Sequence, residues 1–219
     1  MDRDKALKFL EGYQKIIKPN VDHDLAFNLA ICYTQLDDFI KAQQQYERSC
    51  IAMFQNPILW KLSGQTDWLV NVCLLSSRTD LFINVWQELE QYRSDYRGDS
   101  AMANSSYGLM ELLKPKGWDI DKSIKILLKR PKYKDMYAFG KVLKAIIENE
   151  TLALHIALEE LLRVHAGQAK YGILRESAEG LLCMSAMALM YTARKRGIHI
   201  EIENEYLSNG YVEYILIDR

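Results

Sequence analysis

The fold is decided by residues 28–46, whose sequence is NLAICYTQLDDFIKAQQQY. In and just before this stretch, Leu25, Leu29, Cys32 and Leu36 recur at helical spacing, so they share one face of a helix that we predict over 22–36. The acidic pair at 37–38 is read as a tight connection, and a second helix is predicted over 39–54. Ala42 is small enough to let these two helices approach closely as an antiparallel pair.

The order of large, aromatic and small residues in this pair follows a known pattern, which is carried by Leu29, Tyr33, Phe39, Ala42 and Tyr46. The pair therefore resembles one tetratricopeptide repeat, in which the aromatic side chains would fill the gap between the helices. Two positions depart from the repeat, since Ala26 stands in place of a large aromatic residue and Asp37 in place of glycine. No second copy follows at a spacing of about 34 residues, so the rest of the chain should supply irregular helix pairs.

Helical periodicity continues through most of the remaining chain. The apolar spacing predicts further helices over about 6–17, 66–75, 80–92, 101–113, 121–128, 135–148, from 150 onward, and over 180–196. The last of these is the most apolar, so we expect it to be central. A connector is predicted over 167–177 and a short linker over 114–117. We therefore predict one helical domain over 1–219, with a division into 1–113 and 118–219 as the alternative.

The pattern changes near the C-terminus. Ile198, Ile200 and Ile202 alternate with polar residues, which predicts a short extended segment. The following sequence YLSNGYVEYILIDR, residues 206–219, fits either a turn followed by a strand or a last helical turn. In the first case a small hairpin would form across Asn209 and Gly210, because Asn-Gly is a strong turn signal. The predicted fold class is all-α, with stacked antiparallel helix pairs, tetratricopeptide-like at the N-terminus, and a short extended C-terminal segment.

Composition excludes several classes of protein. The 219 residues carry 28 basic and 29 acidic side chains, so bulk charge fits neither a nucleic-acid-coating protein nor an acidic mimic of DNA. A hydrophobic content of 49% excludes wholesale disorder. The first ten residues do not fit a secretory signal, and the uncharged apolar run at 180–193 is too short for a membrane span of about 20 residues. Four widely spaced cysteines predict reduced, buried thiols in a cytoplasmic protein.

No catalytic motif stands out in the sequence. His155 and Glu159 lie four residues apart on a predicted helix, with His165 nearby, but the sequence fixes no further ligand. We interpret them as a surface pair rather than a metal site. Cys183 lies among apolar residues and is interpreted as a core residue rather than a nucleophile. The motifs GxSxG, GxxxxGKS/T and GxGxxG do not occur. We therefore predict no enzyme activity, no catalytic residue, no metal and no cofactor.

Charge is distributed unevenly along the chain. Residues 114–144 hold ten basic and three acidic side chains, which fits an acidic partner, nucleic acid or a solvated helix face. Nucleic acid is not favoured, because lysines dominate and no groove-reading module is recognisable. Residues 198–219 hold five acids and one base together with tyrosines, which suits a basic protein partner or, alternatively, an ordinary solvated edge. The candidate partner-binding residues are Glu201, Glu203, Glu205, Tyr206, Tyr211, Glu213 and Tyr214.

Four short runs in the last third of the chain carry a second resemblance. They are AKYG at 169–172, EGLLCMSAMAL at 179–189, ARKRGI at 193–198 and EYL at 205–207. Over about residues 130–210 the chain resembles the immunity protein 49 family of bacterial polymorphic toxin systems. These runs are packing motifs, and Ser208 departs from the proline that is usual in the family. The resemblance implies a helix-rich cytoplasmic antidote that binds a toxin domain and blocks it by occlusion.

Taken together, these observations predict an immunity protein that neutralises a cognate toxin protein by steric occlusion. We expect the acidic, tyrosine-bearing C-terminal segment and the adjoining concave helix face to make the contact, and we expect no contact with a membrane. Charge reversal at Glu201, Glu203 and Glu205 should weaken toxin binding more than similar changes near Lys125 and Lys129. The alternative function is that of a tetratricopeptide-like adaptor or regulator that binds a peptide or a signalling protein.

Overall fold

The structure is a computed structural model that describes residues 2–16, 22–58, 60, 65–95, 100–113 and 119–217. Within these ranges it contains eleven α-helices and no strand, so the all-α fold class is confirmed. The helices are α1 (Arg3–Gln14), α2 (His23–Gln35), α3 (Phe39–Phe54), α4 (Thr66–Leu75), α5 (Thr79–Asp95), α6 (Ala101–Leu113), α7 (Ile120–Leu128), α8 (Lys134–Glu148), α9 (Thr151–Tyr171), α10 (Met184–Lys195) and α11 (Asn209–Leu216). The predicted linker at 114–117 lies outside the described residues.

Aspartate side chains begin several helices. Asp22 and Asp38 accept hydrogen bonds from the backbone N–H groups three residues later, at the starts of α2 and α3. Such caps satisfy donors that have no partner inside the helix. Helix α7 is capped in the same way by Asp119, so it begins one residue before the predicted start at 121. The starts of α2, α3 and α7 therefore follow directly after an aspartate.

Helices α2 and α3 form the tetratricopeptide-like pair. Ala42 and Tyr46 are fully buried between them and the rest of the core, as the resemblance implies. Tyr33 differs from the expectation, because it is only half-buried and the Lys41 ammonium lies 5.3 Å from its ring centre. Asp37 adopts φ +61°, so the turn needs the left-handed conformation that explains the glycine usual at this position of the repeat.

Most successive helices pack against one another, and α10 lies at the centre of the stack. It contacts α4, α6, α8, α9 and α11, and seven of its twelve residues are buried. The expectation of a central apolar helix is therefore confirmed. The buried side chains of all these elements belong to one hydrophobic core cluster. Long-range bonds tie distant elements together, as where the Gln35 side chain donates a 2.6 Å hydrogen bond to the backbone carbonyl of Leu181.

The boundary between α9 and α10 differs from the prediction. Helix α9 continues through Gly167 to Tyr171, so the connector that we had placed over 167–177 spans only 172–177. The predicted helix over 180–196 is broken into a short 3₁₀ helix, Ala178–Leu181, and α10. The break lies at Cys183, whose N–H donates a 2.8 Å hydrogen bond to the carbonyl of Tyr206 instead of continuing a helix.

The C-terminal segment contains the predicted extended stretch and a last helix, but not the hairpin. Ile198, Ile200 and Ile202 are buried between exposed polar residues, in a stretch with neither helix nor strand. The prediction of a hairpin across Asn209 and Gly210 is wrong, because these residues begin α11. The Ser208 hydroxyl accepts a 3.2 Å hydrogen bond from the N–H of Tyr211 and so caps this helix. The alternative of a last helical turn is the one observed.

Candidate partner-binding surface

Two of the tyrosines proposed as partner anchors lie in the core. Tyr211 has no exposed surface, and its hydroxyl donates a 2.6 Å hydrogen bond to the carbonyl of Leu75. Tyr206 is also buried, with its ring centre 5.1 Å from that of His165. The prediction that Tyr211 meets a partner is therefore wrong, because α11 turns its side chain inward, where it stabilises the fold. Tyr206 still borders the depression beside Glu205 and Lys170, so its role in partner binding stays a prediction.

Tyr214 occupies an intermediate position. It is half-buried, its ring centre lies 5.7 Å from that of Phe39, and its hydroxyl lies 3.3 Å from Oε1 of Gln43. The side chain thus joins α11 to α3, and only its outer edge is open to solvent. Of the three tyrosines in the predicted surface, none stands free as an anchor.

The acidic side chains of the same segment do lie on the surface. Glu201 and Glu203 are exposed, and Glu213 lies 3.2 Å from the Arg194 guanidinium, which is almost completely buried. Glu205 forms a 3.3 Å ion pair with Lys170 of α9. Part of the expected negative charge is therefore neutralised within the chain. The role of these four acids in partner binding stays a prediction.

A shallow groove follows this acidic edge. It encloses about 590 Å³ and is lined by Arg194, His199, Ile200, Glu201, Glu213, Leu216 and Ile217. Glu201 and Glu213 thus face a common space, although they are twelve positions apart in the sequence. Glu205 lines a different depression, next to Lys170 and Lys5. The structure therefore divides the candidate acidic residues between two sides of the C-terminal segment.

The most exposed large hydrophobic side chains lie at the start of the α9–α10 connector. Tyr171 is 89% exposed and Ile173 is 88% exposed. We call this pair, together with the connector 172–177 that carries Ile173, the connector surface. The pattern of GQAKYGILRES, residues 167–177, predicts a connector between helices and does not predict this surface. The available signal was a tyrosine and an isoleucine in an otherwise polar loop.

The connector surface is held in place by hydrogen bonds from both sides. The N–H groups of Gly172 and Leu174 donate to the carbonyl of Gln168 at the end of α9. The Lys5 ammonium, from α1, donates a 3.0 Å hydrogen bond to the carbonyl of Arg175. The exposed side chains thus project from a backbone that is fixed to two helices, which lowers the entropy lost on binding a partner.

A polar recess lies on the inner side of the same connector. It encloses about 220 Å³ between α2, α8, α9 and the start of α10, and its lining includes Leu174 of the connector. The polar side chains in it are those of Asp135, His165, Gln168, Glu179 and Ser185, and we call it the acidic recess. Ser185 is fixed by Asn71, whose amide nitrogen lies 3.3 Å from the Ser185 hydroxyl.

Burial shifts the pKa of several groups in and around the acidic recess. It lowers the pKa of His165 to about 4, although a hydrogen bond to the backbone of Gly180 acts in the opposite direction. It raises the pKa of Glu179, and the nearby charge of Asp24 adds to this effect. The pKa of Asp67, just outside the recess, is raised to about 6 by burial and, to a smaller extent, by Asp135. At neutral pH, His165 is therefore uncharged.

Cysteine chemistry is not favoured at this recess. Cys183 lines it, but burial raises the pKa of its thiol to about 12, so the thiolate is scarce at neutral pH. All four cysteines are buried and reduced, as expected, and burial also raises the pKa of Cys32 to about 12. Cys50 and Cys73, which are distant in the sequence, are neighbours in the core. The interpretation of Cys183 as a core residue is consistent with its burial.

The histidines considered as metal ligands do not come together. His155 pairs with Glu159 at 3.4 Å on the exposed face of α9, which is the predicted surface pair. His165 lies in the acidic recess, on another face of the helix. Within the described ranges, no group of three or more histidine, cysteine or acidic side chains is arranged to hold a metal ion.

The basic stretch presents several free lysines. Lys122, Lys125, Lys129, Lys132 and Lys134 are exposed, and none of them forms an ion pair with another residue in the described part of the chain. Lys141 and Lys144 instead pair with Glu160 and Glu148. Lys114, Lys116 and Trp118 lie outside the described residues. The described basic surface therefore covers α7, the loop that follows it and the first residue of α8.

None of the helices in the described part of the chain is long and apolar enough to cross a membrane. Comparisons of the chain with protein-family models, with curated proteins and with solved structures found no match.

Proposed function

We propose that the protein is a bacterial immunity protein, which binds a cognate toxin domain in the cytoplasm and neutralises it by steric occlusion. The toxin would be held in a stoichiometric complex with its active site covered. The protein would act by binding alone, without a reaction of its own. The support comes from the resemblance over residues 130–210 and from one structural observation in that region.

That observation is the exposure of Tyr171 and Ile173. Side chains of this size are buried in most folds, and tyrosine is among the residues that contribute most to binding energy at protein interfaces. Both stand on a backbone that is tied to α1 and α9. Tyr171 also belongs to the run AKYG that carries the resemblance, yet no residue in the described part of the chain buries it. A partner that covers the connector surface would bury both side chains.

Charge on the flanking surface indicates what kind of partner fits. Glu205 pairs with Lys170, which is the residue immediately before Tyr171 in the chain. Glu203 and Glu201 lie slightly earlier in the same C-terminal segment. These three carboxylates outnumber the two lysines beside Glu205, Lys170 and Lys5, and so leave a net negative rim along the C-terminal segment. Such a rim would speed the approach of a basic toxin surface and orient it, while the apolar pair supplies most of the affinity.

The proposal is tested by co-purification with the tagged product of the neighbouring gene, followed by a killing assay. We expect a one-to-one complex with a protein that is lethal when expressed alone and harmless with this chain. The double variant Tyr171→Ala/Ile173→Ser should raise the dissociation constant of the complex at least about tenfold, since the loss of a single hot-spot side chain at an interface typically has an effect of this size. Its thermal unfolding should stay unchanged, because neither side chain is buried.

A matched control is available on the same helix. Leu152 is 73% exposed at the other end of α9, so Leu152→Ser removes a similar exposed side chain without touching the connector surface. Equal weakening by the control and the double variant would contradict the proposed interface. If the neighbouring product is harmless or does not bind, while a peptide from another protein does, the tetratricopeptide-like adaptor is the better description.

A further inference from the structure

One side of α9 is open to solvent along most of its length. Six residues at intervals of three or four lie on this side, and we call them the α9 stripe: Leu152, Ile156, Glu160, Arg163, Gly167 and Tyr171. Leu152 is 73% exposed and Ile156 is 56% exposed, at the end of the helix opposite Tyr171. The buried residues of α9 lie on the other side of the helix. The stripe is therefore a helix face that the described part of the chain leaves largely uncovered.

The middle of the α9 stripe carries one charge of each sign. Oε2 of Glu160 accepts a 2.7 Å hydrogen bond from the Lys141 ammonium, and Oε1 bonds to no other residue in the described ranges. Arg163 is exposed and forms no ion pair with any described residue. A carboxylate oxygen and a guanidinium are thus available three positions apart, and such groups form strong, charge-assisted hydrogen bonds. A surface that binds here should offer the same two groups in the reverse order.

A second copy of α9, running antiparallel to the first, offers them in that order. When Glu160 of one copy faces Arg163 of the other, the two-fold symmetry of the pair also places Arg163 of the first copy opposite Glu160 of the second. One arrangement therefore pairs the opposite charges twice. A parallel pair in register would instead bring like charges together, so the charges favour the antiparallel direction.

The uncharged residues of the stripe match in the same register. Four positions outward from the charged pair, Ile156 meets Gly167 of the second copy, and four positions farther out Leu152 meets Tyr171. Gly167 has no side chain, and a Cβ there would meet nothing within 4 Å in its own chain, so Ile156 has room to approach. Leu152 and Tyr171 would cover each other and remove exposed apolar surface from water. Apolar burial thus adds to the charge pairing.

The groove between α8 and α9 fits such a contact. It encloses about 290 Å³ and is lined by Ile156 and three alanines, together with two lysines and two glutamates. Because alanine is small, a second helix can approach this face closely. The charges of the lining sum to zero, so two copies of the face do not repel each other.

We propose that the protein associates with a second copy of itself through a two-fold, antiparallel contact between the α9 stripes. The contact does not rest on the proposed function, because every residue in it belongs to this chain. Tyr171 belongs both to the stripe and to the connector surface, so the dimer and the toxin complex exclude each other. The contact is one helix wide, which places it among small, weak interfaces that a tighter partner displaces.

Sedimentation velocity of the intact protein between about 1 and 300 µM measures the self-association. We expect a monomer at the lowest concentration and a dimer at the highest, as for a small interface with a dissociation constant of about 10–100 µM. Glu160→Arg and Arg163→Glu should each raise this constant at least about tenfold, because like charges then face each other twice. Circular dichroism checks that both variants stay folded.

An equimolar mixture of the two variants is the decisive measurement. In the mixed pair one copy contributes two arginines and the other contributes two glutamates, so both charge contacts are attractive. A heterodimer should therefore form at concentrations at which neither variant dimerises alone. The double variant Glu160→Arg/Arg163→Glu should dimerise as well, since it exchanges the two charges within each copy. A dimer formed through another surface would show neither effect.

Glu11→Arg is the matched control, because Glu11 is an exposed glutamate on α1, outside the stripe. It should dimerise as the unmodified protein does. A protein that stays monomeric at about 300 µM, a mixture that stays monomeric, or a dimer weakened equally by the control would overturn the proposal. Leu152→Ser should weaken the dimer but not the toxin complex, so the two proposals fail independently.

Discussion

The Tyr211 hydroxyl donates a 2.6 Å hydrogen bond to the backbone carbonyl of Leu75, and so connects α11 to the last residue of α4. A second bond lies close by, since the Ser77 hydroxyl donates to the carbonyl of Ile215 at 2.9 Å. The ring of Tyr211 also packs against those of Phe39 and Tyr46, at centre distances of 5.7 and 5.5 Å. Helix α11 is thus fixed to α3 and to the α4–α5 turn by polar and aromatic contacts together.

The bond between Tyr211 and Leu75 predicts the effect of removing a single oxygen. Tyr211→Phe should lower the free energy of unfolding by about 1–2 kcal/mol, because the carbonyl of Leu75 loses a buried donor while the ring stays in place. Urea denaturation followed by far-UV circular dichroism measures this change. Tyr33→Phe is the control, since Tyr33 is half-buried and its hydroxyl bonds to no described residue. Equal losses in the two variants would show that the bond contributes nothing specific.

Substitution of two glycines by alanine should change the stability of the protein in opposite directions. A Cβ at Gly140 would lie 2.7 Å from Cβ of Leu127, which is fully buried in α7, so Gly140→Ala should destabilise the protein by about 1–3 kcal/mol. A Cβ at Gly167 would meet nothing within 4 Å inside α9, so Gly167→Ala should stabilise it by up to about 1 kcal/mol. Thermal unfolding of the two variants measures both effects. A stabilising Gly140→Ala would mean that α7 and α8 are less closely packed than described.

His165 and Asp67 predict opposing dependences of stability on pH. The pKa of His165 is about 4 in the folded protein and lies below the ordinary value of 6.5, so its contribution to stability is lost as pH falls from 6.5 to 4. The pKa of Asp67 is about 6 and lies above the ordinary 3.8, so its contribution is lost as pH rises from 3.8 to 6. Between pH 4 and 6 the two groups therefore change the free energy of unfolding in opposite directions, and their effects partly cancel.

Replacing either group should reveal how the other makes the free energy of unfolding depend on pH. In Asp67→Asn the free energy of unfolding should rise more steeply with pH between 4 and 6 than in the unmodified protein. In His165→Asn it should rise less steeply, and the difference between the variants should be on the order of 4 kcal/mol over the window, because the contributions of about 2 kcal/mol from each group have opposite signs. Urea unfolding at pH 4, 5, 6 and 7 provides the comparison. Parallel curves for the two variants would contradict the assigned shifts.

The negative rim predicts an effect on association rather than on dissociation. In Glu205→Lys an ammonium would face Lys170 and a basic partner would be repelled, so the association rate with the toxin should fall at low salt and recover at high salt. Glu201→Lys and Glu203→Lys should act in the same direction. Lys125→Glu and Lys129→Glu, on the basic surface formed by α7 and the loop after it, serve as the charge-reversed controls. Rates that respond equally to both sets would refute the assignment of the rim.

The helices were predictable wherever a local signal marked their ends. The bounds of α3 and α6 agree with the prediction, and Asp38 supplies the side-chain cap that begins α3. The break before α10 carries no such signal. Gly167 lies within α9 and is tolerated because it faces open space, whereas the turn at Cys183 depends on a carbonyl of Tyr206 that only the tertiary structure brings near. Spacing along the sequence cannot distinguish these two cases.

The candidate site was predicted only in part, for a related reason. The sequence showed which residues of the C-terminal segment are acidic, and Glu201 and Glu203 are indeed exposed. It could not show that Tyr211 faces Phe39 and Tyr46, because this follows from the docking of α11 onto α3. Exposure of Tyr171 was equally hidden, since tyrosine is intermediate in burial and its sequence position alone does not show whether a neighbour covers it.

Repeat proteins can gain or lose whole helix pairs during evolution, because each repeat contacts only its neighbours. The bond from Gln35 to Leu181 spans 146 positions and closes this stack on itself. A duplicated pair inserted between these residues would pull α2 away from the 3₁₀ helix and open the core. Divergence in such a protein must therefore proceed by substitution on a scaffold of constant helix number. Connectors such as 172–177 are the places where new specificity can arise at least cost to the fold.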